Sequence, residues 1–402
     1  MEGEVFVSGI GMVSAIGMNI PETLQSLYQS KSGIGAISIL DTHLADTLPV
    51  GEIKYTDPQL KNHLHNASSK RTYSRTTLLA IQAMQEATQM AELGSIERSQ
   101  AALISATSIG GMDKGEIFYA DFLKNPEKAN YRYARVHDCG SITEELAEQA
   151  GIQSYIATSS TACSSATNAI IHAIRLIHHG MYDIVIAGGA DALCNFTLNG
   201  FHSLMILSDE PCRPFDKNRK GLNLGEGAAF LVLESKRSLT KSGRKPLCQI
   251  TGYANTCEAY HQTASAPDGS GAYSAMVQAM QRSKLTPADI SYINTHGTAT
   301  PTNDLSEGRA IEKLFGKNVP PFSSTKALTG HTLAAAGGLE AVLSILSINH
   351  SLIYPNLNFS DPMDELTIKP EVALGSSQTI KHVLSNSFGF GGNNSSLIFS
   401  RC

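Results

Sequence analysis

Short apolar runs rich in β-branched residues alternate along the chain with segments whose apolar residues recur every three or four positions. In the first half this pattern predicts strands at Val5–Ile10, Ala101–Ser105, Ser154–Ala157 and Ile184–Ala187, and helices at Thr76–Leu93 and Ser164–His179. In the second half it predicts strands at Leu247–Gly252, Tyr292–Thr295 and Val383–Ser387, and helices at Tyr273–Leu285, Asp304–Phe315 and Ala334–Asn349. Such alternation is typical of an α/β protein with largely buried strands, and Ser154–Ala157 is predicted as the end of a buried strand.

A charged, glycine-containing connector at residues 234–246 separates two parts of the chain. Similar orders of strands and helices precede and follow it, although the two parts share no obvious repeated sequence. The pattern therefore predicts an internal duplication, with one half at residues 1–240 and the other at residues 246–402. A chain of 402 residues is long enough for two such halves.

Composition narrows the classes of function. The net charge of −5 leaves no basic footprint for a nucleic acid, and no uninterrupted apolar stretch reaches the length of a membrane helix. The N-terminus carries an early Glu and no nearby Lys or Arg, which is not typical of a signal peptide. Seven cysteines without CxxC spacing disfavour a disulfide framework and a zinc site. We therefore expect a cytoplasmic protein with reduced thiols, no nucleic-acid partner and no membrane span.

Cys163 lies in the stretch TSSTACSSATNA, between a predicted strand and a predicted helix. At a helix N-terminus the free backbone N–H groups and the helix dipole favour a thiolate, which is the nucleophilic form of cysteine. The same N–H groups can stabilise an oxyanion, and small neighbouring residues leave room for a substrate. The alternative is an ordinary small core residue, as most free cysteines are.

Two histidines lie in loops next to predicted strands or helices, where open α/β sheets place their chemistry. His296 lies in INTHGTATPTND, and His331 follows Lys326 by five residues in SSTKALTGHTLAAAGGLEA. The stretch SNSFGFGGNNSS is a glycine-rich turn that would allow the backbone to approach a ligand closely. Each histidine alone could be a structural hydrogen-bonding residue, and the turn alone could be a tight hairpin.

Together, these motifs resemble those of elongating β-ketoacyl-(acyl carrier protein) synthases of the thiolase superfamily. TACSSA, THGTAT, STKALTGHTLAAAGGLEA and GFGG occur in that order over nearly the whole chain. The resemblance implies a five-layered αβαβα thiolase fold built from two similar βαβαβαββ halves. It also implies a dimer.

The resemblance further implies a role for each motif. Cys163 would carry the acyl chain, and the backbone N–H groups of Cys163 and Phe390 would form the oxyanion hole. His296 and His331 would bind the malonyl thioester carbonyl and promote decarboxylation, with Lys326 organising them. Phe390 would gate the acyl pocket. The supporting residues would be Glu340, Phe388, Gly389 and Gly391. Neither a metal nor an organic cofactor would be needed, because decarboxylation supplies the carbanion.

The resemblance names acyl carrier protein as a partner, and basic residues near the tunnel mouth should help an acidic carrier to associate. The candidates are Lys70, Arg71, Arg75, Lys124, Lys128, Arg132 and Arg135. Any one of these could instead belong to a solvated helix face.

Several features bear on the pathway. Residues 198–216 resemble ketosynthases of aryl-polyene pigment synthesis, which pair with a chain-length-factor subunit lacking the cysteine, so the dimer would be homomeric or heteromeric. Thr295, Ala299 and Asn393 depart from the residues that fatty-acid enzymes more often show.

One alternative function is that of a fatty-acid elongation enzyme. Another is that of a non-catalytic chain-length-factor-like subunit, and the intact cysteine and histidines disfavour this second alternative. A thiolase is disfavoured because Cys402 is poorly placed as a second catalytic cysteine. A Cys-His-Asn initiating synthase is disfavoured by His331.

Overall fold

The structure is a computed structural model that describes residues 3–64, 68, 71–375 and 379–402. The strands in these residues are β1 (Val5–Ser14), β2 (Ala102–Ala106), β3 (Ile156–Ser159), β4 (Ile184–Asp191), β5 (Gly227–Ser235), β6 (Cys248–Cys257), β7 (Tyr292–Asn294), β8 (Phe322–Ser323), β9 (His382–Gly389) and β10 (Asn393–Ser400). The helices are α1 (Ile20–Tyr28), α2 (Asp57–His63), α3 (Arg75–Met90), α4 (Ser95–Gln100), α5 (Met112–Lys124), α6 (Tyr131–Ala134), α7 (Cys139–Ala150), α8 (Ser165–His178), α9 (Asn195–Ser203), α10 (Lys236–Ser242), α11 (Ser270–Ser283), α12 (Pro301–Phe315), α13 (Lys326–Thr329) and α14 (Ala336–His350).

The strand order repeats between the two parts of the chain. Along the sheet the strands follow the order β3-β2-β4-β5-β1-β6-β10-β9-β7-β8, so the second five mirror the first five. In the first part β2 is parallel to β3 and β4, whereas β5 is antiparallel to β4 and β1. In the second part β7 is parallel to β8 and β9, whereas β10 is antiparallel to β9 and β6. This repetition supports our proposed division into halves at residues 1–240 and 246–402.

The helices complete five layers. α8 and α14 pack against each other between the strands of the two halves, α3 and α7 cover the outer face of the first half, and α11 and α12 cover that of the second. This is the αβαβα arrangement that the resemblance implies. Leu333–His350, which includes α14, is long and apolar enough to cross a membrane. However, 89% of it is buried inside the fold, as expected of a core helix.

One predicted strand differs from its expectation. Ser154–Ala157 was expected to be the end of a buried strand, but β3 begins at Ile156 and forms the edge of the sheet. It pairs with β2 on one side only, so Tyr155 and Ile156 remain 39% and 37% exposed. The apolar character of this strand therefore does not reflect burial within the chain.

The packing of the two halves brings the predicted motifs together. The loop after β3 carries Cys163, the loop after β7 carries His296, and the segment after β8 carries Lys326 and His331. The glycine-rich turn joins β9 to β10 as a hairpin. The parallel strands of the two halves run in opposite directions, so these loops meet through the packing of the halves around α8 and α14.

Candidate active site

Cys163 lies in a tight loop between β3 and α8. Ala162, directly before it, has a φ of +52°, which is uncommon for a residue with a side chain. The Ser165 hydroxyl donates to the Ala162 carbonyl at 2.5 Å and accepts from the Thr161 N–H at 2.7 Å, which holds the loop in this shape. The predicted place of Cys163 beside a helix N-terminus is confirmed, because α8 begins at Ser165.

The structure bears on the resting ionisation state of Cys163, which the sequence leaves open. Only 5% of the residue is exposed, and burial raises the pKa of the Cys163 thiol to about 11. The charge of Lys326 and the backbone N–H of Phe390, which donates to the sulfur, lower the pKa but do not offset the burial. Cys163 is therefore a neutral thiol in the resting site at pH 7, because desolvation outweighs the groups that stabilise the thiolate.

His296 and His331 lie side by side, with ring centroids 5.5 Å apart and ring planes nearly perpendicular. The Lys326 ammonium lies 3.2 Å from His296 Nδ1 and donates to it. The backbone N–H of Leu333 donates to His331 Nδ1 at 3.2 Å. Since both Nδ1 atoms accept, each neutral ring carries its hydrogen on Nε2. The two histidines thus offer a matched pair of Nε2–H donors.

Burial keeps both rings neutral. Desolvation lowers the pKa of His296 and of His331 well below the usual range, and the Lys326 charge lowers both further. Lys326 also donates to the backbone carbonyl of His296 and to the Glu340 carboxylate. Glu340 accepts a second bond from the Ser387 hydroxyl at 3.1 Å. Burial raises the pKa of Glu340, and Lys326 opposes that shift.

Two acidic residues that the sequence did not single out hold the His296 loop. The Glu307 carboxylate accepts the backbone N–H groups of His296 at 3.0 Å and of Gly297 at 2.8 Å. The Asp304 carboxylate accepts the N–H groups of Ala299 at 3.1 Å and of Phe215 at 2.7 Å. Both acids lie on α12, which follows the loop directly. The one feature of the sequence that points to Asp304 is its position in the first turn of a predicted helix, where an acidic side chain interacts favourably with the helix dipole.

A third acid, Asp191 at the end of β4, joins two loops of the site. Its carboxylate accepts the Thr107 hydroxyl at 2.5 Å and the Ala334 N–H at 2.8 Å. Burial raises the pKa of Asp191 to about 6. Asp191 therefore supports the segment after His331 from the opposite half of the chain.

Aromatic and glycine residues form the wall beside the cysteine. Phe390 stacks on Phe201 of α9 with ring centroids 5.9 Å apart, and Phe388 packs on His296 at 5.7 Å. A Cβ on Gly389 would lie 2.9 Å from the Thr161 carbonyl oxygen, so this contact requires glycine. Gly391 has a φ of +81°, which also favours glycine. Sequence reasoning missed Phe201, whose position on an ordinary helix gives no indication of its role.

The structure brings the predicted site residues together. Cys163, His296, His331, Phe388 and Phe390 line one pocket. Gly389, Gly391 and Phe201 also line this pocket, whereas the Lys326–Glu340 ion pair lies behind it. The arrangement combines a thiol with two N–H donors for an oxygen atom.

The candidate basic residues for a carrier separate into two groups. Arg71 forms ion pairs with Glu145 and Glu148, and Arg75 is buried against Glu226. These two residues are therefore poor carrier contacts. The four other described candidates, Lys124, Lys128, Arg132 and Arg135, are exposed, as Arg71 is. Lys70 lies outside the described residues.

Substitution of Glu307 with Gln gives a prediction with a defined pH dependence. Burial raises the pKa of Glu307 to about 7, above its ordinary value of 4.5, so the folded protein holds this proton more tightly than the unfolded chain. The resulting stability is fully present below pH 4.5 and is lost as the pH rises towards 7. We expect the free energy of unfolding of the wild type, minus that of Glu307→Gln, to fall by roughly 3 kcal/mol over this interval.

Urea unfolding between pH 4.5 and pH 8 measures this difference. Glu312→Gln on the same helix is the matched control, since its carboxylate accepts from Thr367 on an exposed part of the helix. A difference that stays constant with pH for Glu307→Gln would contradict the raised pKa.

Comparisons with known proteins agree with this geometry. Residues 2–238 match the family described as "Beta-ketoacyl synthase, N-terminal domain", and residues 247–360 match "Beta-ketoacyl synthase, C-terminal domain". The chain is 34% identical over 410 residues to a 3-oxoacyl-[acyl-carrier-protein] synthase 2 of Staphylococcus aureus (strain COL), covering 99% of this chain and 98% of the relative.

Solved structures are similar over the full chain. The ishigamide ketosynthase/chain length factor is 28% identical with a TM-score of 0.93, and the similarity covers 100% of both chains. A ketosynthase in complex with its chain length factor from Xenorhabdus doucetiae is 31% identical with a TM-score of 0.84, covering 100% of this chain and 98% of that chain.

Proposed function

Because the chain belongs to the beta-ketoacyl synthase family, whose members are acyltransferases that form carbon–carbon bonds, we propose a role for each group in its site. The observation that carries the proposal is the convergence of Cys163, His296 and His331 in one pocket with the Phe390 N–H. Covalent catalysis at Cys163 separates the loading of the chain from the condensation.

In the loading step the Cys163 sulfur attacks the thioester carbonyl of an acylated carrier protein. The new C–S bond replaces the carrier's C–S bond, and the thiol proton leaves with the carrier thiol. The transient oxyanion accepts hydrogen bonds from the backbone N–H groups of Cys163 and Phe390. The neutral thiol at rest means that proton removal accompanies the attack.

In the condensation step the malonyl thioester oxygen accepts the Nε2–H groups of His296 and His331. Carbon dioxide leaves, and its bonding electrons form an enolate that these two donors stabilise. The enolate carbon attacks the acyl group on Cys163, so that a C–C bond forms and the C–S bond breaks. The released thiolate takes a proton from solvent.

We propose that the pathway is of the aryl-polyene or polyketide type. The resemblance of residues 198–216 to aryl-polyene ketosynthases supports this, as does the similarity to a ketosynthase solved with its chain length factor. Fatty-acid elongation is the second candidate, favoured by the 34% identity to a 3-oxoacyl-[acyl-carrier-protein] synthase 2. A chain-length-factor-like subunit is less favoured, because Cys163, His296 and His331 are all present. Seven free cysteines support a cytoplasmic location.

The function is tested by condensation with malonyl carrier protein and a panel of saturated, polyenoyl and aryl-enoyl carrier thioesters. We expect a β-ketoacyl carrier product two carbons longer than the starter, detected by mass spectrometry. A preference for aryl-enoyl or polyenoyl starters would support the polyene pathway, and a preference for saturated starters would support fatty-acid elongation. The absence of product from every starter, with and without a chain-length-factor subunit, would contradict the proposal.

We propose that a second subunit of the same fold pairs with the edge strand β3. Among the described residues no strand pairs with the outer side of β3, and such an edge with exposed Tyr155 and Ile156 is a ready template for another strand. Ile156→Lys is expected to weaken association by at least about 2 kcal/mol, measured by light scattering over a range of concentrations. Ile96→Lys, at a 72% exposed position on α4, is the control and should leave association unchanged.

If the wild type is monomeric, a chain-length-factor subunit should convert it to a heterodimer, and Ile156→Lys should prevent that. Unchanged association of Ile156→Lys would place the contact elsewhere.

We propose that the acidic carrier contacts the four exposed basic residues of the α5–α6 region.

A further inference from the structure

Three asparagine side chains from both halves of the chain meet behind the cysteine loop. Asn168 lies on α8 of the first half, whereas Asn255 on β6 and Asn393 at the start of β10 belong to the second half. None of them is among the groups to which the proposed mechanism assigns a role.

Asn393 is the centre of this cluster. Its side-chain oxygen accepts three hydrogen bonds, from the Ser164 hydroxyl at 2.7 Å, from Asn168 Nδ2 at 2.8 Å and from Asn255 Nδ2 at 2.8 Å. A threonine hydroxyl is one bond shorter than this carboxamide. The three contacts therefore depend on asparagine at this position.

Asn168 extends the cluster to the other side of Cys163. Its Nδ2 donates to the Thr161 hydroxyl at 2.8 Å, and its Oδ1 accepts from Asn255 Nδ2 at 2.8 Å and from Ser395 at 3.0 Å. Thr161 and Ser164 flank the cysteine at two residues before and one residue after it. The network therefore contacts the cysteine loop on both sides.

The side chain of Ser164 bonds to this network instead of capping its own helix. Ser164 is the N-cap residue of α8, but its side chain makes no capping hydrogen bond. Its hydroxyl instead donates to the Thr161 carbonyl at 2.8 Å and to Asn393. N-cap serines usually bond to the first N–H groups of their helix. Here the first N–H of the helix, that of Ser165, donates instead to the backbone carbonyl of Ala162 at 3.1 Å.

The other end of the network closes the turn that holds Phe390. Asn393 pairs with Gly389 across the β9–β10 hairpin, so residues 390–392 form the turn between them. The Gly389 backbone packs directly on Thr161 and Ser164. A chain of contacts thus joins the residue after Cys163 to the residue that closes the Phe390 turn.

We infer that Asn393, held by Asn168 and Asn255, is a positioning residue that sets the spacing between the backbone N–H groups of Cys163 and Phe390. The inference rests on the proposed function, in which these two groups form the oxyanion hole. Donors aimed at a developing oxyanion lose much of their effect when they are displaced by a fraction of an ångström. The network also joins the two halves of the chain at this point.

The test compares two reactions of Cys163 in the full-length protein. Acylation by a carrier thioester passes through an oxyanion, whereas alkylation by iodoacetamide is a direct displacement that needs no oxyanion hole. Asn393→Ala is expected to lower kcat for acyl transfer by about 10- to 100-fold with KM nearly unchanged. The rate of alkylation should fall much less, because displacement of the Phe390 N–H weakens only its hydrogen bond to the sulfur.

Further variants keep the test decisive. Asn168→Ala should show the same selective loss, and the double variant Asn168→Ala/Asn393→Ala should lose little more than either alone, because the two residues act through one network. Asn393→Thr should retain part of the acylation rate. Asn218→Ala, at a surface site bonded to Asp361, is the control and should leave both rates unchanged.

The possible results separate the inference from the proposed function. Equal losses of acylation and alkylation in Asn393→Ala would show a general structural role and would overturn the inference. Unchanged acylation in Asn393→Ala and Asn168→Ala would also overturn it while leaving the proposed function in place. A wild type that is alkylated at Cys163 but acylated by no carrier thioester would overturn both.

Discussion

Substitution of Cys163 with alanine is expected to abolish the acyl adduct and to lower condensation by a factor of about 10⁴ or more. The mechanism passes the chain through a thioester on this sulfur, and alanine has no nucleophile to replace it. Malonyl decarboxylation should persist, because the Nε2–H donors of His296 and His331 are oriented by Lys326 and by the Leu333 N–H, not by the cysteine. Intact-protein mass spectrometry and carbon dioxide release measure the two effects.

Cys257 supplies a matched control. It is exposed beside the same glycine-rich turn, with its sulfur 3.8 Å from the Gly391 carbonyl oxygen. Cys257→Ala should retain the adduct, the condensation and the decarboxylation. An adduct of full mass on Cys163→Ala, or its loss from Cys257→Ala, would show that another thiol carries the chain.

Much of the site could be predicted from the sequence because its catalytic groups occur in unusual local settings. Cys163 stands among small residues before a helix, and His296 and His331 stand in loops rich in small residues. The alternation of elements also predicted the two related halves, which the mirrored strand order supports. These features are local, so they can be recognised in the sequence without knowing which residues are in contact.

The parts of the site that the sequence did not predict depend on contacts between segments that are far apart in the chain. Glu307 and Asp191 look like ordinary acids in the sequence, and only the fold shows that they bind backbone N–H groups of the site. Phe201 becomes part of the wall only because α9 packs beside the glycine-rich turn. The resting ionisation of Cys163 could not be predicted either, since it depends on whether the cost of burial exceeds the local stabilisation of the thiolate. Burial is a property of the whole fold.

Substitution of Lys326 with methionine is expected to damage both the stability and the chemistry. Lys326 and Glu340 are each about 3% exposed, so removing the cation leaves an uncompensated carboxylate in the interior. Breaking a buried ion pair in this way costs about 3–5 kcal/mol in the free energy of unfolding. The carboxylate is then expected to be protonated, since burial already raises the pKa of Glu340 and Lys326 opposes that rise. Urea unfolding measures the loss.

The expected effect of Lys326→Met on decarboxylation has a separate cause. Lys326 donates to His296 Nδ1, and without that donor the ring can carry its hydrogen on Nδ1 and present a lone pair to the malonyl oxygen. We expect decarboxylation to fall by about 10²–10⁴, as for other sites in which a histidine loses the partner that selects its tautomer. Carbon dioxide release from malonyl carrier protein measures this loss.

A double variant separates the two causes. Lys326→Met/Glu340→Leu replaces the ion pair with apolar side chains of similar size, so most of the lost stability should return. Decarboxylation should remain low, because His296 still lacks its donor. If the double variant recovers activity together with stability, Lys326 acts only through the fold. If activity stays low while stability returns, the ammonium acts on His296 itself, and the ion pair with Glu340 serves to hold that ammonium in a site that would otherwise exclude a charge.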